Sequence, residues 1–295
     1  MRLLLVDGHA YAYRAFYAIR SLSSPSGRPT NAIYGFVKML AKMRVSLKPT
    51  HLMVVWDGGL SAERLKALPE YKAQRPEMPA DLGAQLDEIV SYLTAASIDS
   101  FCREGVEADD YIACVARRAE AAGFEVVIAS SDKDFMQLVM SGTGRIGLLN
   151  PNDKSERVWG AAEVRSKTGV EPSQVLDWLS LMGDAVDNIP GVPGVGPKTA
   201  TGLLQMFGSV AGIYERLAEV KSERIREALR LAEADVRRNQ ALVRLNEGLE
   251  CEFLPAALAV KPVNEKRLAE LYRGWGFRGL LAELEASQME QRSLI

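Results

Sequence analysis

Three short apolar runs, each closing on an acid, constrain this chain more than any other feature. Residues 3–6 run into Asp7, residues 52–56 into Asp57, and residues 126–129 into Ser130-Ser131-Asp132-Lys133-Asp134. Continuous runs of this length suit strands covered on both faces, as in a parallel sheet. Helical patterns lie between them. Residues 31–45 carry Ile33, Phe36, Val37, Leu40, Ala41 and Met43 near helical spacing, and the Ala-rich stretch 108–122 stops at Gly123. This alternation predicts an α/β core with a mainly parallel central sheet. Ligand sites in such sheets lie beyond the carboxyl ends of the strands, so the acids that close the runs are expected at one edge.

Other acids join them. Glu107, Asp109 and Asp110 open a helix in Gly105-Val106-Glu107-Ala108-Asp109-Asp110. Asp184 and Asp187 stand about one helical turn apart in Gly183-Asp184-Ala185-Val186-Asp187-Asn188. The i, i+2 spacing of Asp132 and Asp134 puts both on one side of an extended chain. Each group alone has a plainer reading: acids at a helix start complement its dipole, and Asp after a strand is ordinary turn chemistry. Gathered at one edge they would repel one another and rise in pKa, a cost that bound divalent cations remove. With two histidines, His9 and His51, and three cysteines lacking ligand spacing, metal chemistry rests on oxygen donors and suits Mg2+ or Mn2+. Two such ions stabilise the attacking and leaving oxygens of an in-line displacement at phosphorus.

The net charge of −2 argues at first against a nucleic-acid partner. The nine acids above exceed it, however, and leave the rest of the chain basic, so an acidic pit in a basic surface is expected. No apolar run approaches the ~20 residues needed to span a membrane, and the start of the chain reads as a strand, not a signal peptide. Cys102, Cys114 and Cys251 are expected as reduced thiols of a cytoplasmic protein.

Residues 58–76 are basic, interrupted by Gly and Pro, and read as a partly helical excursion from the core. Beyond about residue 160 no clear strand is evident and short helices are expected. There the run Ile189-Pro190-Gly191-Val192-Pro193-Gly194-Val195-Gly196-Pro197-Lys198-Thr199-Ala200 stands out. Its glycines permit a tight turn between helices, and free amides beside Lys198 form a phosphate site. An ordinary turn between packed helices is the plainer reading.

The ordered set Val6-Asp7-Gly8 with Tyr13-Arg14, Leu68-Pro69-Glu70-Tyr71-Lys72-Ala73-Gln74-Arg75-Pro76, 105–110, 131–134 and 183–200 resembles the flap-endonuclease (5′-nuclease) family that includes the 5′–3′ exonuclease domain of bacterial DNA polymerase I. The resemblance covers about residues 1–285. It implies a PIN-like α/β core over 1–165, a helical arch over about 58–95, and a helical DNA-binding region over 166–295 with a helix–hairpin–helix element at about 183–206. It implies a two-metal site of Asp7, Asp57, Glu107, Asp109, Asp110, Asp132, Asp134, Asp184 and Asp187. Lys72 matches an arch lysine at the scissile phosphate, Arg64 and Arg75 basic arch positions, Tyr13 a nucleotide-stacking aromatic, and Arg14 its basic neighbour. Gly191, Gly194, Gly196, Lys198 and Thr199 match the duplex-gripping hairpin, where relatives hold K+. His9 is given no role, and Gly58-Gly59 departs from the commoner Ala-Lys. The function so implied is a structure-specific 5′–3′ exonuclease or flap endonuclease in primer removal and repair. Its expected partners are DNA with a 5′ flap, nick or gap and RNA primer–DNA, and a monomer is expected. A PIN-type ribonuclease and a non-catalytic DNA scaffold are the competing readings.

Overall fold

The computed structural model describes residues 1–139 and 144–293. The last two residues of the region expected over 166–295 therefore lie outside the described residues. The chain divides into two compact units, one of Met1–Trp56, Glu77–Cys102 and Leu254–Ile295, the other of Asp57–Pro76 and Arg103–Phe253.

The first unit carries β1 (Arg2–Asp7), β2 (His51–Val55) and β3 (Asp99–Phe101), all parallel. Leu3, Leu4, Leu5 and Val6 have no exposed surface, as a strand covered on both faces requires. Asp7 caps the helix Gly8–Ala18 by accepting from Ala10 N at 3.0 Å. A Cβ on Gly8 would stand 2.6 Å from Trp56 Cε3, so only glycine lets this helix leave the strand here. The helix Asn31–Leu47 extends two residues past the expected pattern. Its first amides are met by a buried side chain: Gln85 Oε1 accepts from Ala32 N at 2.8 Å and Ile33 N at 3.3 Å. Gln85 sits on the helix Ala80–Ala95, whose Leu82, Ile89 and Leu93 are fully buried. The C-terminal part of the arch expected over 58–95 is this helix, with one face buried in the first unit.

The second unit carries β4 (Glu125–Ala129) parallel to β5 (Ile146–Leu149), with β6 (Val158–Trp159) antiparallel to β5. The helix Ala108–Ala121 precedes β4, as the sequence predicts. Short helices follow, among them Val175–Met182, Pro197–Phe207 and Glu233–Val243. Between the first two of these lies a strand pair missing from the sequence reading, β7 (Gly183–Asp184) and β8 (Ile189–Pro190). Two residues bear no periodicity, and the pairing depends on Gly183 at φ +71. Cys114 and Cys251 form a disulfide, which corrects the expectation of three reduced thiols; Cys102 is an exposed thiol. The mixed α/β class and the mainly parallel strands are as expected. Among the described residues no helix is long and apolar enough to cross a membrane.

Candidate metal centre

Turns of the second unit present the acids, each by local chemistry. Gly58 N donates to Val106 O and Gly105 N to Gly58 O, both at 2.9 Å, which sets Asp57 beside the loop leading to Glu107. A Cβ on Gly58 would lie 1.8 Å from Arg103 O, so the unusual glycine there has a steric cause. Glu107 occupies the N-cap position of the helix Ala108–Ala121 without a side-chain cap bond, and Asp109 and Asp110 lie in its first turn. Asp132 caps the 3-10 turn Lys133–Leu138 and accepts from Asp134 N at 2.9 Å. The two acids are therefore neighbours through a cap, not through the extended chain expected. Asp184 and Asp187 belong to the β7–β8 turn and not to a helix, with Asp184 Oδ1 accepting from Val186 N at 2.8 Å.

Basic side chains stand among these acids. Lys72 Nζ pairs with Glu107 and reaches Asp187 Oδ2 at 4.0 Å, with only 6% of the residue exposed. Lys72 has φ +56, a left-handed conformation costing about 1–3 kcal/mol for a non-glycine residue. It is held there by two bonds between turns: Lys72 N to Asp187 O and Asn188 Nδ2 to Glu70 O, both 2.9 Å. Arg75 Nη2 meets Asp187 Oδ1 at 2.5 Å, and Lys133 Nζ meets Asp184 Oδ2 at 3.1 Å. Tyr71 Oη donates to Glu107 Oε2 at 3.1 Å. Tyr71 and Lys133 were not singled out in the sequence, although both stand inside motifs quoted there.

The electrostatics separate the acids. Burial disfavours ionised Glu107, but Lys72 and Arg64 outweigh it and hold Glu107 below the usual carboxylate range. Asp109 is pushed up to about 8, burial prevailing over nearby Lys72 and Arg64. Burial also raises Asp132, and raises Asp134 well above its ordinary value, with Asp184 and Asp187 adding repulsion to both. Asp132 and Asp134 have no ion-pair partner among the described residues. Crowded, desolvated oxygen donors short of positive charge fit a hard divalent cation. Among the described residues, no three acids are gathered tightly enough to hold one as they stand; Lys72, Arg75 and Lys133 engage several of them instead. Burial opposes the charge on Lys72 too, but Asp109, Glu107 and Asp187 overcome it and keep the ammonium protonated.

Two of the expected site residues bond to each other. Arg64, expected at DNA, is 6% exposed and forks onto Asp110 at 2.9 and 2.8 Å. Asp110, expected among the metal ligands, thereby has both oxygens engaged. A cavity of about 510 Å³ lies against this pair, and its lining includes none of Asp132, Asp134, Asp184 or Asp187.

The hairpin is built by close backbone approach. A Cβ on Gly191 would lie 1.9 Å from Met182 O, and Gly194 has φ +80. Gly196 caps the helix Pro197–Phe207, with Pro197 in its first turn. Lys198 is exposed and Thr199 half-buried. In the first unit, Asp7 ends β1. Tyr13 is half-buried and stacks on Tyr17 at 6.4 Å, Arg14 is exposed, and Tyr11 is the core tyrosine of that helix. His9 packs edge-on against Trp56 at 5.4 Å.

Residues 2–169 match the family described as 5′-3′ exonuclease, N-terminal resolvase-like domain, and residues 170–266 match 5′-3′ exonuclease, C-terminal SAM fold. A 5′-3′ exonuclease of Aquifex aeolicus is 37% identical, the match covering 99% of each chain. DNA polymerase I of Bacillus subtilis is 36% identical over 98% of this chain, which spans 33% of that protein's length. Among solved structures, the T5 D15 flap endonuclease in complex with DNA and metal ions superposes with a TM-score of 0.68 at 23% identity, covering 98% of each chain. The catalytic core of Rad2 with DNA substrate gives 0.62 at 15% identity, covering 92% of this chain and 87% of its own. Those two likenesses establish the fold. With both halves of one family matched in order, and a relative of the same length more than a third identical, the chain belongs to the 5′–3′ exonuclease family of nucleases.

Proposed function

We propose that the chain is a divalent-metal-dependent 5′ nuclease that hydrolyses DNA phosphodiesters at 5′ flaps, nicks and gaps, RNA primer–DNA junctions included. It acts as a cytoplasmic monomer in primer removal and repair. The observation that carries this reading is the set Asp109, Asp132 and Asp134, desolvated and repelled by neighbouring acids, with the ion-paired Asp184 and Asp187 and the protonated Lys72 and Arg75 beside it. Asp7, Asp57, Glu107 and Asp110 complete the ligand set that the family resemblance implies.

When bound, two Mg2+ or Mn2+ ions supply Lewis acidity and neutralise charge for an in-line displacement at phosphorus. The chain's own groups do the rest. Lys72 offers a protonated ammonium and Arg75 a planar fork to the oxygens of the scissile phosphate. Tyr13 stacks on a nucleotide near the cut and Arg14 holds its phosphate. Amides of Gly191, Gly194, Gly196 and Thr199, with Lys198 and a K+ ion, grip the duplex backbone without reading bases.

The test is a substrate panel in Mg2+: 5′-labelled flap, nicked duplex, blunt duplex and single-stranded RNA. Cleavage of flap and nick is expected. Cleavage of the RNA with the flap left intact would replace this reading with the ribonuclease one.

A further inference from the structure

Arg64 lies on the short helix Ala62–Ala67 and is as buried as an aliphatic core residue, at 6% exposed. A guanidinium has five N–H donors, and five acceptors stand close to this one. Nε donates to Leu242 O at 2.9 Å, and Nη2 to Asp110 Oδ1 at 2.8 Å and Arg244 O at 3.1 Å. Nη1 donates to Asp110 Oδ2 at 2.9 Å and lies 3.0 Å from Glu107 Oε1. Four of the five donors are thus taken by hydrogen bonds, and Nη1 also stands in ion-pair contact with Glu107. Asp110 is 4% exposed and equally committed, since Oδ1 also accepts from Asn246 N at 2.8 Å.

We propose that Arg64 and Asp110 form a buried positioning pair that aims Glu107 into the carboxylate set, and that Asp110 is not itself a metal ligand. The inference rests on the metal-dependent reading above. Glu107 is fixed from both sides: Oε1 by Arg64 and by Ser61 N at 3.0 Å, Oε2 by Tyr71 Oη at 3.1 Å and by Lys72. Arg64 also ties Ala62–Ala67 to the start of Ala108–Ala121 and to residues 242–244 through that one side chain. For Asp110 to bind a cation it would have to surrender a charge-assisted fork and strand a buried guanidinium. Asp132 and Asp134 face no such loss.

The test uses the full chain and four variants: Asp110→Asn, Asp132→Asn as the ligand control, Arg64→Lys, and the double variant Arg64→Gln with Asp110→Asn. The double variant leaves no uncompensated buried charge, which keeps it foldable where Arg64→Gln alone fails. Bound Mn2+ is counted by electron paramagnetic resonance titration, and flap cleavage is resolved into kcat and KM. Asp110→Asn should bind as many Mn2+ ions as wild type, whereas Asp132→Asn should lose one. In the double variant kcat at saturating Mn2+ should fall roughly 10- to 100-fold with KM for the flap unchanged. Arg64→Lys, which keeps the charge and loses the fork, should fold without recovering wild-type kcat. A lost ion in Asp110→Asn would make Asp110 a ligand and overturn the proposal. A raised KM with unchanged kcat in the double variant would make Arg64 a DNA contact and overturn it as well. A wild-type chain that binds Mn2+ yet leaves the flap intact would instead defeat the functional reading, while the ion counts would still decide the role of Asp110.

Discussion

Lys72 shows how much one residue carries in this site. It is buried, its backbone is left-handed, and its ammonium lies against Glu107 with Asp187 within reach. A group held protonated against burial, in a strained turn pinned to a second turn, is arranged for placement of charge and not for stability. Lys72→Ala should lower single-turnover cleavage by roughly 10²–10³-fold with little change in flap affinity. A loss confined to affinity would assign Lys72 to binding alone. Asp109 gives a pH prediction. Its carboxyl is pushed up to about 8, so the folded chain holds a proton that the unfolded chain releases near pH 4. Linkage then makes stability fall as pH rises through that interval. In EDTA, Asp109→Asn should therefore be neutral near pH 4 and stabilising near pH 8, by on the order of a few kcal/mol. Thermal unfolding at the two pH values checks this, and an equal shift at both would show that the proton is not on Asp109. Residue types were legible in the sequence, but pairings were not. A buried arginine and an exposed one look alike there, so the fork of Arg64 onto Asp110 could not be read from it.

At the scale of elements, the hairpin rests on glycines for two different reasons. Gly191 has no room for a side chain, and Gly194 needs a positive φ. Gly191→Ala should cost roughly 1–3 kcal/mol through backbone displacement, while exposed Lys198→Ala should leave stability unchanged. Lys198→Ala should instead weaken binding of all duplex sequences alike and reduce the salt slope by about one. Unfolding and salt-titrated binding of the two variants test this, and a Lys198→Ala slope equal to wild type would remove Lys198 from the phosphate contacts. Long periodic elements were readable: the runs ending at Asp7 and Asp57 became β1 and the approach from β2, and 108–122 became a helix within one residue. The pair β7 and β8 was not, since Gly183 and Pro190 signal turns. Neither was the membership of Ala80–Ala95 in the core, because Gln85 looks like a surface residue until its carbonyl is seen on Ala32 N and Ile33 N.

Over the whole molecule, the disulfide is the largest departure from the sequence reading. It joins positions 137 residues apart, and closing a loop of that length in the unfolded chain stabilises by about 4–5 kcal/mol in the entropy model. A reductant should lower the unfolding temperature of wild type and have no effect on Cys114→Ser; equal melting of wild type with and without reductant would mean the thiols are free. Odd cysteine number concealed the pair, since neither spacing nor composition distinguishes Cys114 and Cys251 from Cys102. The chain spans about a third of the polymerase relatives and the full length of the Aquifex exonuclease. Metal dependence at the acids of the second unit is the claim on which the rest depends. It is tested most directly by single-turnover cleavage of a 5′-labelled flap, with wild type and Asp132→Asn each assayed in Mg2+ and in EDTA. The expected result is cutting by wild type in Mg2+ alone, and flap binding without cutting by Asp132→Asn. Equal turnover in EDTA and Mg2+ would contradict it.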